Sequence, residues 1–366
     1  MRLLSLPLIM LLFGACAPDV VTLTVDNPTS SDWTGKVVEY DADSVLRLLG
    51  APYFIVRDSA GNELTSQFTY DSRLIFRADV PAHGSARYQV EGCDTMPIYN
   101  NNVSCGRVYP ERDDDVAWEN DLVGFRVYGP SLRARGERGY GYDVFFKHGP
   151  CAPVLETLYA GELSKTAHVS YHEDHGYGMD CYAVGPTLGA GVTAVMDESG
   201  QLVYPWTYET ATVLDNGPLR FTVQLDFPPV AIGSDSAVVE RRLITLDAGD
   251  HLNSAIVYYD GLTKPVDVAA GIVLRDEEGR IAPDSAGRYI AYIDPTQGDD
   301  NGKGFMGVVF MNAPDSIYVT DREEVPHIIG VTRYNPGDKF AYKWGFAWNR
   351  ADITDVDRWI DYLKRQ

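Results

Sequence analysis

The densest group of reactive side chains is the run Tyr171-His172-Glu173-Asp174-His175-Gly176-Tyr177-Gly178-Met179-Asp180-Cys181-Tyr182. It holds two of the seven histidines and three carboxylates. A histidine beside a carboxylate suits general acid–base work, because the anion fixes the ring tautomer and tunes its proton affinity. The glycines imply an irregular loop, where ligand-handling groups usually sit. His172 and His175 stand three apart without the helical frame of H-E-x-x-H, so that zinc motif is not met. Tyr171, His172, Glu173, Asp174 and His175 are the candidate catalytic residues, with Asp180 as a binding residue. The alternatives are a metal site and a solvated structural loop.

Two further stretches suit an anionic ligand. From Arg126 to Lys147 there are five basic residues (Arg126, Arg133, Arg135, Arg138 and Lys147) against Glu137 and Asp143. A cationic stretch in an acidic chain reads as a site for a carboxylate or sulfate. Arginines in a solvated loop are the plainer reading for Arg133, Arg135 and Arg138. Arg126 differs, because it lies in an apolar strand and needs a partner if buried. Arg126, Asp143 and Lys147 are therefore candidate substrate-binding residues. The second stretch is Arg333-Tyr334-Asn335-Pro336 followed by Tyr342-Lys343-Trp344-Gly345-Phe346-Ala347-Trp348-Asn349-Arg350. Aromatic faces stack on sugar rings and cations take acidic groups, so Arg333, Tyr342, Lys343 and Trp344 join the candidates. An aromatic core strand is the competing reading.

Weaker signals are Asp113-Asp114-Asp115 and Asp299-Asp300-Asn301-Gly302. Calcium or another divalent metal could use such carboxylates, but neither meets the EF-hand spacing, and solvated turns explain both. No cofactor is expected. His251 follows a hairpin-like turn and reads as structural. No G-x-S-x-G occurs, so a nucleophile elbow is unsupported.

The whole chain constrains these sites. Its 366 residues carry a formal net charge of -21, from 31 Lys+Arg against 52 Asp+Glu. That balance argues against nucleic acid as a partner. The composition, 45% apolar and 23% charged, excludes a disordered chain. Met1 to Ala15 reads as an export leader, with Arg2 ahead of the apolar run Leu3 to Phe13. Phe13-Gly14-Ala15-Cys16 resembles a lipoprotein signal, which would make Cys16 the lipidated residue of an exported, lipid-anchored or periplasmic protein. The membrane is then a partner through the anchor alone. Export permits disulfides, and Cys93–Cys105 with Cys151–Cys181 is the favoured pairing of the remaining four cysteines.

Strand signals dominate what must position these residues. Val20 to Val25, Lys36 to Tyr40, Tyr53 to Val56, Arg73 to Phe76 and Ser85 to Val90 are short β-branched or alternating runs. Ser59-Ala60-Gly61-Asn62 reads as a hairpin turn. Later strands are expected over Leu122 to Tyr128, Phe221 to Phe227, Val238 to Leu246, Ser254 to Tyr259 and Gly304 to Met311. Helices are expected at Ala42 to Leu49 and in the tail Asp352 to Leu363, with Thr354 as cap. The fold class is all-β. Residues 1–18 are a signal segment with lipobox, 19–92 a small N-terminal β-sandwich, 93–115 a linker and 116–366 a large antiparallel β domain.

Glu119-Asn120-Asp121, Arg126-Val127-Tyr128-Gly129-Pro130, Tyr171-His172-Glu173-Asp174-His175-Gly176, Val184-Gly185-Pro186, Leu214-Asp215-Asn216-Gly217-Pro218 and Leu246-Asp247-Ala248-Gly249 together resemble the bacterial domain-of-unknown-function family 4861. The resemblance covers most of the mature chain. It implies a galactose-mutarotase-like β-supersandwich for the large domain and a role in polysaccharide degradation in Gram-negative bacteria. The expected activity is β-elimination, by a dehydratase or lyase, on uronic-acid-containing oligosaccharides. His172 or His175 would be the base, with Tyr171, Tyr342 or the other histidine as acid. Arg126, Lys147 or Arg333 would neutralise the substrate carboxylate. The alternatives are a glycoside hydrolase with paired carboxylates drawn from Glu119, Asp121, Asp143, Glu173, Asp174 and Asp180, a non-catalytic surface glycan-binding lipoprotein, and an epimerase or mutarotase.

Overall fold

The computed structural model describes residues 20–204, 206–281, 287–321 and 323–366. The leader and Cys16 lie outside the described residues. The chain is all-β, as expected, with antiparallel strand ladders and a few short helices. It divides into two compact units.

The first unit holds the described residues through Cys105, with Leu214–Phe221 and Asp247–Gly249. Alternation in Val20–Asp26 turns Leu23 and Val25 inward, and alternation in Tyr53–Arg57 does the same for Phe54 and Val56. They meet Leu74, Phe76 and Val90 in one core. The expected turn forms between Tyr53–Arg57 and Glu63–Leu64, where the Asp58 carboxylate accepts from the Ala60 and Asn62 amides. The helix Ala42–Leu49 forms as read. Asp41 caps it by accepting from the Ser44 amide at 2.7 Å, and Gly50 ends it with a φ of 62°. Val45 and Leu49 face the core.

The second unit holds Gly106–Val213, Thr222–Leu246 and Asp250–Gln366. One sheet runs through Asp235–Asp247, Leu252–Asp260, Phe340–Trp348, Gly304–Phe310 and Tyr289–Asp294. A second runs through Thr193–Met196, Val266–Val273, His327–Tyr334 and Ser316–Val319. A third carries Asp115–Glu119, Gly124–Val127, Asp143–Lys147 and Gly178–Met179.

Phe340–Trp348 is flanked on both sides, by Leu252–Asp260 and Gly304–Phe310. A central strand buries its aromatics, so this stretch is a core strand and no sugar platform. Trp344 has 0% of its surface exposed and stacks on Tyr142 at 3.8 Å. Tyr342 is equally sealed. Lys343 is buried and donates to Gln366 Oε1 at 2.7 Å.

The core also encloses polar atoms. Arg242 and the hydroxyls of Tyr142 and Tyr342 meet one another there, and the Tyr259 hydroxyl meets Thr193.

The tail helix is Val356–Lys364, and its cap is Asp355, not Thr354. Asp355 accepts from the Arg358 amide at 3.0 Å. Trp359 and Leu363 are buried, and Trp359 Nε1 donates to Met306 O at 3.1 Å. Two unexpected helices occur at Pro130–Ala134 and Leu155–Glu162. The second has no local cap. The Glu119 carboxylate, from a distant strand, accepts from the Val154 and Leu155 amides instead. No helix among the described residues is long and apolar enough to cross a membrane.

Candidate functional site

Antiparallel pairing of Gly124–Val127 with Asp143–Lys147 sets Arg126 directly opposite Asp143. The Arg126 side chain is buried, with 3% of the residue exposed. Its Nε donates to Asp143 Oδ2 at 2.9 Å, Nη2 donates to Asp180 Oδ2 at 2.7 Å, and Nη1 donates to the Tyr171 hydroxyl at 3.0 Å. Tyr128 donates to Asp143 Oδ2 at 2.8 Å. Asp115 lies 3.9 Å from Nη1. Arg126 therefore faces three buried carboxylates, with Arg112 also acting on Asp115, and the carboxylate protons must adjust. Burial pushes Asp180 up to about 7, with Asp143 adding to the push and Arg126 opposing it. Burial likewise pushes Asp115 up to about 6 against the pull of Arg126.

The histidine loop is built on this cluster. The Asp180 amide donates to Tyr171 O at 2.8 Å, which closes the loop at its base. His172 Nδ1 lies 2.9 Å from Asp180 O and 3.7 Å from Asp180 Oδ2. A carbonyl only accepts, so Nδ1 carries a hydrogen, which leaves the lone pair of the neutral tautomer on Nε2. The ring packs edge-on to Tyr171 at 4.7 Å, yet its side chain is 54% exposed. His172 is thus a largely exposed ring anchored through Nδ1 to the buried charged cluster.

A second histidine–carboxylate pair stands beside it. His148 Nε2 lies 2.6 Å from Asp174 Oδ2, and its ring rests on Trp348 at 4.7 Å. Burial raises the Asp174 carboxyl, but His148 and the Gly176 amide hold it below the ordinary range. Gly178 is required here. Its φ is 113°, and a Cβ would lie 1.9 Å from Phe146 O. Exposed His175 lies 3.2 Å from Ser170 O and 4.0 Å from Glu173 Oε2.

The structure thus joins Arg126, Asp143, Tyr171, His172 and Asp180, with Asp174 and His148 alongside. It corrects the expected cationic patch. Arg126 is consumed by buried carboxylates. Lys147 is 1% exposed and donates to Glu119 Oε2 at 2.6 Å and to Asn120 O. Arg135 pairs with Asp113 and Glu137. Neither Arg126 nor Lys147 can meet a substrate carboxylate without leaving a buried charge unpaired. Arg333 stands on the strand His327–Tyr334, in the second sheet, and pairs with Asp267 at 2.9 Å.

His148, Tyr128 and Asp115 were not singled out from the sequence. Asp115 ended an acidic triplet that resembled a solvated turn, whereas its side chain is fully buried. His148 had a faint signal, since it directly follows a strand whose partner enters the histidine loop.

The expected disulfides are not formed. Cys93 Sγ donates to Thr95 O at 3.2 Å, and Cys151 and Cys181 carry free thiols. Cys151 sits against Lys147 and Glu119, while Cys181 sits against Thr296 and Asp294. Burial pushes the Cys181 thiol up to about 12. Among the described residues, no group of three or more His, Cys, Asp or Glu could hold a metal ion.

A family model matches residues 25–366. A curated protein of Formosa agariphila, "Uncharacterized protein P7", is 25% identical over 377 residues, spanning 96% of this chain and 93% of that protein. An α-mannosidase from Enterococcus faecalis V583 superposes with a TM-score of 0.48 at 8% identity, over 90% of this chain and 43% of that one. A glycosyl hydrolase family 38 protein from Enterococcus faecalis gives 0.46 at 9% identity, over 90% and 44%. The chain therefore spans less than half the length of these solved structures. The matched residues run through both units and every side chain of the site, and the chain belongs to the family described as Domain of unknown function (DUF4861).

Proposed function

We propose that this chain is an exported carbohydrate-active enzyme that performs β-elimination, as a dehydratase or lyase, on uronic-acid-containing oligosaccharides. The observation that carries this reading is His172. The Asp180 carbonyl accepts from its Nδ1, and the largely exposed ring would offer Nε2 as the base. Elimination begins with loss of the proton next to the substrate carboxylate, and Nε2 of His172 takes it. Asp180, with a carboxyl near neutrality, stabilises the imidazolium that results. The acid that protonates the leaving oxygen would then be His175, exposed in the same loop, or half-buried His148 beside it.

The substrate carboxylate still needs a cation. Arg350 lies over Trp348 at 5.9 Å, on the ring that also carries His148. Its carboxylate partner Asp300, at 2.9 Å, is fully exposed. Such a pair is held weakly, so Arg350 can exchange it for a substrate. The lipoprotein signal and the family's expected place in polysaccharide degradation support export and a sugar substrate.

A second reading is glycoside hydrolysis. It would need carboxylates that reach solvent, such as Glu173 and Asp174, because Asp143 and Asp180 are buried against Arg126. The test is to incubate the protein with uronate-terminated oligosaccharides and follow the ultraviolet absorbance of an unsaturated product. Reducing ends without unsaturation would favour hydrolysis. Binding of unchanged ligand would favour a glycan-binding module. Folded protein with no unsaturated product across several such substrates would overturn elimination.

A further inference from the structure

Nine large apolar side chains stand exposed among the described residues, and five of them gather in the first unit: Val20, Tyr53, Phe68, Met96 and Ile98. Strand register brings them to one end. Val20 begins the edge strand Val20–Asp26 and lies opposite Glu91. Tyr53 begins the strand on the other side of Ser85–Cys93 and lies opposite Cys93. The chain leaves Ser85–Cys93 at that same end and runs straight on to Met96 and Ile98. Phe68 ends the strand Ser66–Phe68 of the other sheet, with its ring 6.5 Å from that of Phe54, which lies opposite Gly92.

The protruding stretch is tied at both feet. Cys93 Sγ donates to Thr95 O at 3.2 Å, and the Tyr99 hydroxyl lies 3.2 Å from Ser66 Oγ. Between these ties Met96 is 60% exposed and Ile98 86% exposed. A single exposed apolar residue needs no explanation, but a group of them around a held loop marks a surface that meets something. Charge narrows what it meets. Arg57, beside this end, is already taken by Glu91 at 3.0 Å and Glu63 at 3.9 Å, so the contact on offer is apolar.

The chain ahead of Val20 names the occupant. Cys16, the expected lipidation residue, stands four positions before Val20, and four residues span at most about 14 Å even when fully extended. A lipid on Cys16 therefore keeps the Val20 end of the sheet at the bilayer surface, and the side chains beside Val20 are the first to meet it. A tyrosine suits the headgroup level, while methionine and isoleucine suit the acyl boundary. We propose that Val20, Tyr53, Phe68, Met96 and Ile98 form a membrane-seating surface that enters the lipid and fixes the first unit to it by this end. The proposal rests on acylation of Cys16 and is independent of the enzymatic reading.

The test is hydroxyl-radical footprinting, read by mass spectrometry, on the acylated protein in phosphatidylcholine vesicles and on its Cys16→Ser variant in solution. Met96 and Ile98 should be oxidised at least several-fold more slowly in the vesicles, while exposed Tyr177 and Tyr318 of the second unit react alike in both. Met96→Ser/Ile98→Ser changes two exposed positions, and in the acylated variant Tyr53 should react faster in vesicles than it does in the unmutated protein. Acylated protein whose Met96 and Ile98 react equally fast in vesicles and in solution overturns the seating and leaves the lipid anchor standing. Unchanged protection of Tyr53 in the double variant, meaning shielding by the tether alone, overturns it too. An N-terminal peptide without acyl chains overturns anchor and seating together. Protection of Met96 and Ile98 in the Cys16→Ser protein that grows with its concentration, without vesicles, assigns the surface to a second copy and overturns the proposal.

Discussion

Replacing Asp180 by Asn should make the protein more stable, and increasingly so as pH rises. Asp180 is buried beside Asp143, and burial raises its carboxyl from 3.8 to about 7. Every tenfold gain in proton affinity is worth about 1.4 kcal/mol. The native state therefore binds this proton more tightly than the unfolded chain does. Wild-type stability from this group is greatest below the unfolded value, falls as pH rises toward about 7, and is flat above. Asn cannot ionise, and its carbonyl can still accept from Arg126 Nη2. The variant should match the wild type near pH ~4 and exceed it by about 2–4 kcal/mol near pH ~8, the lower figure applying if Asp143 shares the cost. For a unit of this size that is at least several degrees in melting temperature. Urea titrations of both proteins across this pH range measure the gap. A gap that does not change with pH, or one that favours the wild type at high pH, would refute the reasoning.

Other substitutions separate structure from chemistry. His172→Gln should leave folding intact, because the ring is largely exposed, while lowering kcat by about 10²–10⁴. Lys147→Met should cost about 3–5 kcal/mol by stranding Glu119 in the interior, visible as a lower urea midpoint. Gly178→Ala should lower stability and activity together, since a Cβ would strike Phe146 O; unchanged melting would contradict the close approach. Thiol labelling of denatured, unreduced protein should modify Cys93, Cys151 and Cys181, and a reductant should not shift the melting temperature.

Much of the fold was legible because the relevant signals are local. The run Val238 to Leu246 alternates, and it lies within the strand Asp235–Asp247. Ala42 to Leu49 carries its own cap and stop, and it forms the helix between them. Leu155–Glu162 was not legible, because its cap is Glu119, brought in by tertiary structure. The site divides along the same line. The histidine loop announced itself by composition, and Arg126 by being a charge in an apolar strand. Asp115 did not, and the pairing of Arg126 with Asp115 and Asp180 exists only in the folded chain. Counting charge along the sequence made Arg126 to Lys147 a cationic stretch, whereas in space Arg126, Arg135 and Lys147 are each paired with carboxylates. Trp344 misled for the complementary reason. An aromatic strand with interleaved cations reads alike whether it lies at a surface or at the centre of a sheet, and only the flanking strands decide.

The central claim is that His172, poised by Asp180, acts as a base on a uronate-containing sugar. The most direct measurement is the rate of unsaturated-product formation from uronate-terminated oligosaccharides by wild type and His172→Gln, with folding of both verified by circular dichroism. The expected result is turnover by the wild type and a loss of about 10²-fold or more in the variant. Equal turnover by the two proteins, or none by the folded wild type on any such substrate, would contradict it.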